Sequence, residues 1–185
     1  VLAKTSAIEL TVVWALTLVH LRGVGIGSLV QNGLTVVKIG GLLLLVLLAF
    51  ALGEGDWSNL SRTDGSAFPE ARTMLVSFMF VTFGYTGWNA AAYIAEELRE
   101  PGRNLPRAMW TGTLAVAVIY VAMNVVYIYA LPVTRLGEPD GIESVGAKTT
   151  AALFGDATGG WLNAFFCISI IGSASAMIWV GPRVY

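Results

Sequence analysis

The sequence predicts an all-α integral membrane protein with five transmembrane helices. Three observations carry that expectation. Of the 185 residues, 56% are hydrophobic and only 12% are charged, against about 25% charged in ordinary soluble domains. The mean hydropathy is +0.70. The apolar residues also fall in long blocks, and a bilayer crossing needs roughly 20 of them at about 1.5 Å each. The expected spans are 7–21, 29–52, 73–95, 108–131 and 161–180, in a single transmembrane domain fragment covering 1–185. Net charge −1 gives no hint of a nucleic-acid partner, which would call for a basic patch. The single cysteine, Cys167, excludes an internal disulfide and a cysteine-rich metal site. No cofactor or metal is expected. The chain starts at Val1 and stops at Gly181-Pro182-Arg183-Val184-Tyr185 with a helix still in progress, so it reads as an internal piece of a longer protein.

The first span, 7–21, is short, and Glu9 marks an interfacial end. A glycine-punctuated turn follows from His20 to Gly27. His20, the only histidine, sits beside Arg22 at a membrane edge and is given no chemical role. The second span, 29–52, ends in an aliphatic run from Leu42 to Leu52 that suits lipid. Its first half is different. Ser28, Gln31, Thr35 and Lys38 are spaced 3, 4 and 3 apart, so they share one helix face. Lys38 lies 9 residues beyond Leu29, roughly 13 Å at about 1.5 Å per residue. A lysine at that depth is costly and marks an internal site. Its bland counterpart is a lysine snorkelling to the headgroups along its own stem.

The third span, 73–95, holds Phe83-Gly84-Tyr85-Thr86-Gly87-Trp88-Asn89 at mid-depth. Two glycines lower helix propensity there and allow the backbone to leave helical values. Backbone freed inside a membrane must line a cavity or be buried in protein. Broken helices of this kind build substrate sites in many secondary transporters. On the glycines alone, close helix packing is the simpler reading. Pro101-Gly102 predicts a turn, with Pro106 starting the fourth span, 108–131. Tyr120, Asn124 and Tyr127 share a face of that span, and Asn124 is expected to bond a neighbouring helix. In the acid-rich loop 132–160, residues 147–154 form a short surface helix. The fifth span, 161–180, carries the small-residue stripe Ser169, Gly172, Ser173 and Ala176, which favours close helix approach.

Arg22, Arg99, Arg103, Arg107 and Arg183 fall on one side of this topology. The opposite loops carry Arg62, Arg72, Arg135 and Lys148 but also eight acids, Glu54, Asp56, Asp64, Glu70, Glu138, Asp140, Glu143 and Asp156. The positive-inside rule counts short loops near span ends. Loops 22–28 and 96–107 are therefore expected in the cytoplasm, with the protein a multi-pass component of the cell membrane.

Phe83-Gly84-Tyr85-Thr86-Gly87-Trp88-Asn89, followed by Glu96-Glu97, Pro101 and Arg103-Asn104-Leu105-Pro106-Arg107, resembles the sixth helix and next loop of amino-acid permeases of the amino acid–polyamine–organocation (APC) superfamily. Leu21-Arg22-Gly23-Val24, Val30-Gln31-Asn32, Thr35 and Lys38 resemble the end of their fourth helix and the start of their fifth. Gly181-Pro182-Arg183-Val184-Tyr185 resembles the end of their eighth. The resemblance implies helices four to eight of a LeuT-like inverted-repeat transporter. The implied function is secondary active transport of amino acids. It also implies that the first helix, whose unwound segment binds the substrate carboxylate, lies outside this chain.

Within that frame the expected substrate site is Phe83, Gly84, Tyr85, Thr86, Gly87, Trp88 and Asn89. The end of a half-helix presents carbonyls and partial negative charge to an ammonium. Carbonyls near Phe83, Gly84 and Thr86 fit that role, and Phe83, Tyr85 and Trp88 offer apolar surface to a side chain. Asn89 bonds either within the unwound segment or to substrate. The resemblance also implies a coupling site. Lys38 matches a lysine that replaces sodium in some APC relatives, with Ser169 or Ser173 as its hydroxyl contacts. Burial disfavours an ammonium, so a proton is the expected coupling ion ahead of sodium. The other readings are a polyamine or organic-cation substrate, a non-transporting structural subunit, and a membrane enzyme. One His and one Cys argue against the enzyme.

Overall fold

The computed structural model describes residues 2–61, 70–136, 145–155 and 159–183. These residues are helical with no strand among them. The order is α1 (Leu2–Leu21), α2 (Val24–Leu52), α3 (Ala71–Gly84), α4 (Ala90–Tyr93), α5 (Pro101–Ala130), α6 (Val133–Leu136), α7 (Val145–Phe154) and α8 (Gly159–Val180). Short 3₁₀ turns occupy Trp57–Leu60, Ala95–Glu97 and Gly181–Arg183. Among the described residues three helices are long and apolar enough to cross a membrane: Val24–Leu52, Pro101–Ala130 and Gly160–Arg183. Ser6–Leu21 and Ala71–Gly84 are shorter apolar helices.

The glycine-rich turn before α2 is tighter than its composition implies. Arg22 and Gly23 separate the two helices, with Gly23 at φ 117, and α2 begins at Val24. Gly25 and Gly27 lie inside the helix. Gly27 is needed for another reason, because a Cβ there would sit 2.7 Å from His20 Nδ1. The turn expected at Pro101-Gly102 falls one residue earlier. Glu100 takes the left-handed conformation at φ 49, and Pro101 opens α5. A proline suits a first helical turn, where its missing N–H has no partner to lose. The Glu100 carbonyl then accepts the N–H groups of Arg103 and Asn104, each at 3.0 Å. Pro106 lies within α5 instead of starting it.

The apolar core sits at one end of the bundle. Ala49, Val126, Tyr129 and Leu153 pack together from α2, α5 and α7. The short helix expected over 147–154 is α7, and it does not lie on the surface. Thr149 and Thr150 are completely buried, and their hydroxyls donate to the carbonyls of Val145 and Gly146 one turn back. Satisfying those hydroxyls internally lets a threonine face enter the core. Trp57 stacks on Phe50 with centroids 5.5 Å apart and lies 4.7 Å from the Tyr129 ring. The Tyr129 carbonyl accepts the Asp56 N–H at 2.9 Å, and its hydroxyl donates to the Gly53 carbonyl. The chain leaving α2 is thereby fixed to the end of α5.

α8 is the central helix, touching α1, α2 and α7. Close approach to α2 depends on small residues. A Cβ at Gly41 would fall 2.1 Å from the Phe165 ring, and one at Gly172 would meet Leu34 at 3.4 Å. α3 is arranged differently. Every residue from Ala71 to Asn89 is exposed, and the segment meets the bundle through α5.

Candidate functional site

α3 stops at Gly84, and a helix resumes only at Ala90. The five residues between turn through short-range bonds. Tyr85 N–H donates to the Thr82 carbonyl and Thr86 N–H to the Phe83 carbonyl, both at 3.1 Å. Ala90 N–H donates to Gly87 O at 3.0 Å, and Ala91 N–H to Trp88 O at 3.3 Å. These contacts span three residues where an α-helix spans four. Gly87 sits at φ 98, in the left-handed half of the map that glycine enters without a Cβ penalty. The Thr86 hydroxyl donates to the Phe83 carbonyl at 2.7 Å. Asn89 bonds to the Tyr93 hydroxyl through Nδ2 at 3.3 Å, a partner one turn on in the chain.

The break borders a cavity of about 920 Å³ between the turn and α5. Gly84, Tyr85, Thr86, Gly87 and Trp88 line it. Phe83 and Asn89 do not, so the structure brings five of the seven expected residues to one space. From α5 the wall is made by Ala108, Met109, Gly112, Thr113, Val116 and Tyr120. Tyr120 is the residue the sequence left unassigned. Its hydroxyl donates to the Gly84 carbonyl at 3.0 Å, and its ring meets Tyr85 edge-on at 5.2 Å. Its neighbour Asn124 departs from expectation. Nδ2 donates to the Tyr120 carbonyl on its own helix at 2.8 Å, so Asn124 makes an intrahelical bond.

A second polar group lies between α2 and α8. Lys38 Nζ donates to Ser173 Oγ at 2.8 Å. The Ser173 hydroxyl donates in turn to the Ser169 carbonyl at 3.2 Å. Lys38 therefore points across to α8 instead of along its own helix. Ser169 contributes its carbonyl, while its hydroxyl oxygen is buried without a partner. Gln31, about two turns before Lys38, donates through Nε2 to the Gly172 carbonyl at 3.4 Å. Its Oε1 is also buried and unpartnered. Ser28 and Thr35 return their hydroxyls to Gly25 O and Gln31 O on α2. The stripe thus splits: Gln31 and Lys38 reach α8, while Ser28 and Thr35 do not.

His20, assigned no chemical role from its sequence context, lies against α8. Nε2 is 3.0 Å from the hydroxyl of fully buried Ser175, and the ring stacks on Trp179 at 5.8 Å. Arg183 lies over the other ring system of this group, with Cζ 5.7 Å from the Trp179 ring centroid, and pairs with Glu97. Glu97 ties the segment after α4 to the turn that follows α8. No spacing rule links residues 97 and 183, so only the folded chain reveals the pair.

A family model described as "Amino acid permease" matches residues 3–185. Among curated proteins the chain is 29% identical to the b(0,+)-type amino acid transporter 1 of Rattus norvegicus, over 91% of this chain and 34% of that protein. It is 27% identical to the large neutral amino acids transporter small subunit 2 of Oryctolagus cuniculus, over 92% of this chain and 32% of that protein. It is 28% identical to the Asc-type amino acid transporter 1 of Mus musculus, over 73% of this chain and 26% of that protein. The chain thus spans about a third of the length of the curated relatives it matches. No solved structure matches.

The α2–α8 seam is directly testable. The 3.4 Å between Leu34 Cβ and the position of a Cβ on Gly172 is close to the disulfide range of about 3.5–4.5 Å. Leu34→Cys with Gly172→Cys, in a Cys167→Ser background of the full-length protein, should cross-link under mild oxidation. Val36→Cys with Gly172→Cys should not, because residues two apart on a helix face away from each other. Equal cross-linking of both pairs, read by mobility after cleavage between the helices, would refute the packing.

Proposed function

Because this chain belongs to the amino acid permease family, we propose that the complete protein is a secondary active transporter of amino acids. The observation that carries this reading is the helix broken at residues 85–89 beside a cavity of about 920 Å³. The names of the relatives, all amino acid transporters, supply the substrate class. In this reading the substrate ammonium meets the carbonyls at the end of α3, where partial negative charge and available lone pairs favour a cation. Tyr85 and Trp88 border the space for the substrate side chain. Phe83 lies beside the cavity without lining it and acts from its rim. The carboxylate is held by a segment outside this chain.

Lys38 is the proposed coupling group. Its ammonium bonds Ser173, and Ser169 lies on the same stripe of α8. A lysine there joins two helices with a charge that a bound sodium ion would otherwise supply. A proton is the proposed coupling ion, and an amino acid the proposed small-molecule partner. The spans 7–21, 29–52, 73–95, 108–131 and 161–180 are proposed to cross the cell membrane, with loops 22–28 and 96–107 in the cytoplasm. The Glu97–Arg183 pair supports one element of this topology by joining two segments assigned to the same side. Residue 141, assigned to the opposite side, lies outside the described residues.

Three experiments test these assignments. Gly87→Leu forces a branched side chain into a φ of 98, which costs on the order of 1–3 kcal/mol in backbone strain. It should reduce amino-acid uptake by the full-length protein about tenfold or more while surface expression is retained. Normal uptake would count against the broken-helix site.

Lys38→Ala should lose most transport at matched expression. Lys38→Arg should not restore it, because guanidinium keeps its proton and presents a planar fork in place of a compact ammonium. Near-normal transport by the arginine variant would instead favour a merely cationic stem.

For topology, single cysteines at Gly102 and Gly141 in a Cys167→Ser background are probed with an impermeant thiol reagent. Position 141 should label in intact cells and position 102 only after permeabilisation. The reverse pattern inverts the assignment.

A further inference from the structure

We propose that Arg103, Arg107 and Trp110 form a docking surface on α5 for the headgroup phosphate of an anionic phospholipid. The three residues stand 4 and 3 apart, so they share one face of the helix. Leu114, Val118 and Val121 continue that face at spacings of 4, 4 and 3. All six are exposed. The buried residues of α5, Ile119, Met123 and Val126 among them, lie on the opposite side. This face is therefore separate from the core contacts of the helix.

Along its length the face changes character in the order a bilayer does. Ala130, the last residue of α5, lies 20 residues beyond Trp110. That is about 30 Å at about 1.5 Å per residue, the thickness of the hydrocarbon core. Tryptophan favours the boundary between hydrocarbon and headgroups. With Trp110 at that boundary, Arg107 stands about 4.5 Å outside it and Arg103 about 10.5 Å. The headgroup layer is about 5–8 Å deep on each side, so the two guanidiniums bracket the level of the phosphates. Leu114, Val118 and Val121 fall at the depth of the acyl chains.

The charges point to the occupant. Arg183 is committed to Glu97, whereas neither Arg103 nor Arg107 has an ion pair among the described residues. Glu100, on the flank of the same face, pairs with neither of them. Two guanidiniums one turn apart offer forked N–H donors, a geometry that matches phosphate oxygens. An anionic lipid supplies the complementary charge at the level of the arginines and apolar chains below it. A soluble anion would meet the arginines and leave the aliphatic face beneath them uncovered.

The experiment places the full-length protein in phosphatidylcholine nanodiscs that contain either brominated phosphatidylcholine or brominated phosphatidylglycerol. Bromine quenches tryptophan on contact, and subtraction of the Trp110→Phe variant isolates the signal of Trp110. The brominated phosphatidylglycerol should quench Trp110 at a mole fraction about fivefold lower than the brominated phosphatidylcholine, the scale set by one or two arginines at a lipid surface. Added salt should narrow the gap. Arg103→Gln with Arg107→Gln should abolish the preference, while Arg103→Lys with Arg107→Lys, which keeps both charges, should retain most of it. If the double glutamine variant is not recovered, Arg107→Gln alone replaces it and should at least halve the preference. Equal quenching by the two lipids in the unaltered protein overturns the proposal, as does a preference that survives the glutamine substitutions. Absence of quenching by either lipid also overturns it, because another segment of the protein then covers Trp110. Inorganic phosphate, added at constant ionic strength, should leave the preference intact. Its loss would assign the arginines to a soluble anion and overturn the lipid as occupant.

Discussion

A polypeptide in an apolar environment must satisfy every backbone N–H and C=O within the protein. Around residues 85–89 much of that constraint is met without α-helix. The Tyr85 and Thr86 N–H groups find carbonyls three residues back, the Gly87, Trp88 and Asn89 carbonyls accept N–H groups three residues on, Thr86 adds its hydroxyl, and Tyr120 reaches the Gly84 carbonyl from α5. The rest of the site depends on this solution. The turn at Gly87 ends one helix axis and frees another, and the cavity lies where the two diverge from α5. A residue other than glycine at φ 98 would close the turn at a cost in strain. α5 serves as the rigid wall because it runs unbroken for 30 residues despite Pro106.

The α2–α8 interface answers the same constraint with different means. Small residues bring the backbones together, and polar side chains cross between them. Lys38 reaches Ser173, and Gln31 reaches the Gly172 carbonyl. Interhelical bonds of this kind average only about 0.6 kcal/mol where measured in membranes, so their value lies more in direction than in stability. They fix which faces of α2 and α8 meet. The buried and unpartnered oxygens of Gln31 and Ser169 make this a polar seam in an otherwise apolar bundle. α1 joins the same helix farther along, where His20 meets Ser175 and Trp179.

The two ends of the bundle differ in kind. At one end Ala49, Val126, Tyr129 and Leu153 form a close-packed apolar core, sealed by Trp57 and Phe50. At the other, Arg183 joins Trp179 and Glu97 through charge and ring contacts. α3 stands between these regimes, exposed along its whole length. A helix this apolar and this uncovered calls for lipid or further protein around it, in keeping with relatives about three times as long as this chain.

The sequence by itself determined the helical membrane class, because apolar blocks of span length have few other solutions. It also located the break, since Gly84 and Gly87 weaken a helix through local backbone preference that needs no tertiary context. Lys38 and Ser173 were legible as candidates because stripes at helical spacing declare a shared face. What the sequence left undecided were the partners. Asn124 could bond a neighbour or its own helix, and only packing decided for the Tyr120 carbonyl. The burial of α7, the placement of Phe83 outside the cavity lining, and the Glu97–Arg183 pair likewise followed from how distant segments meet. Tyr120 illustrates the division most clearly. Its spacing announced a face of α5, but the carbonyl it serves lies 36 residues away, a separation that periodicity along one helix does not encode.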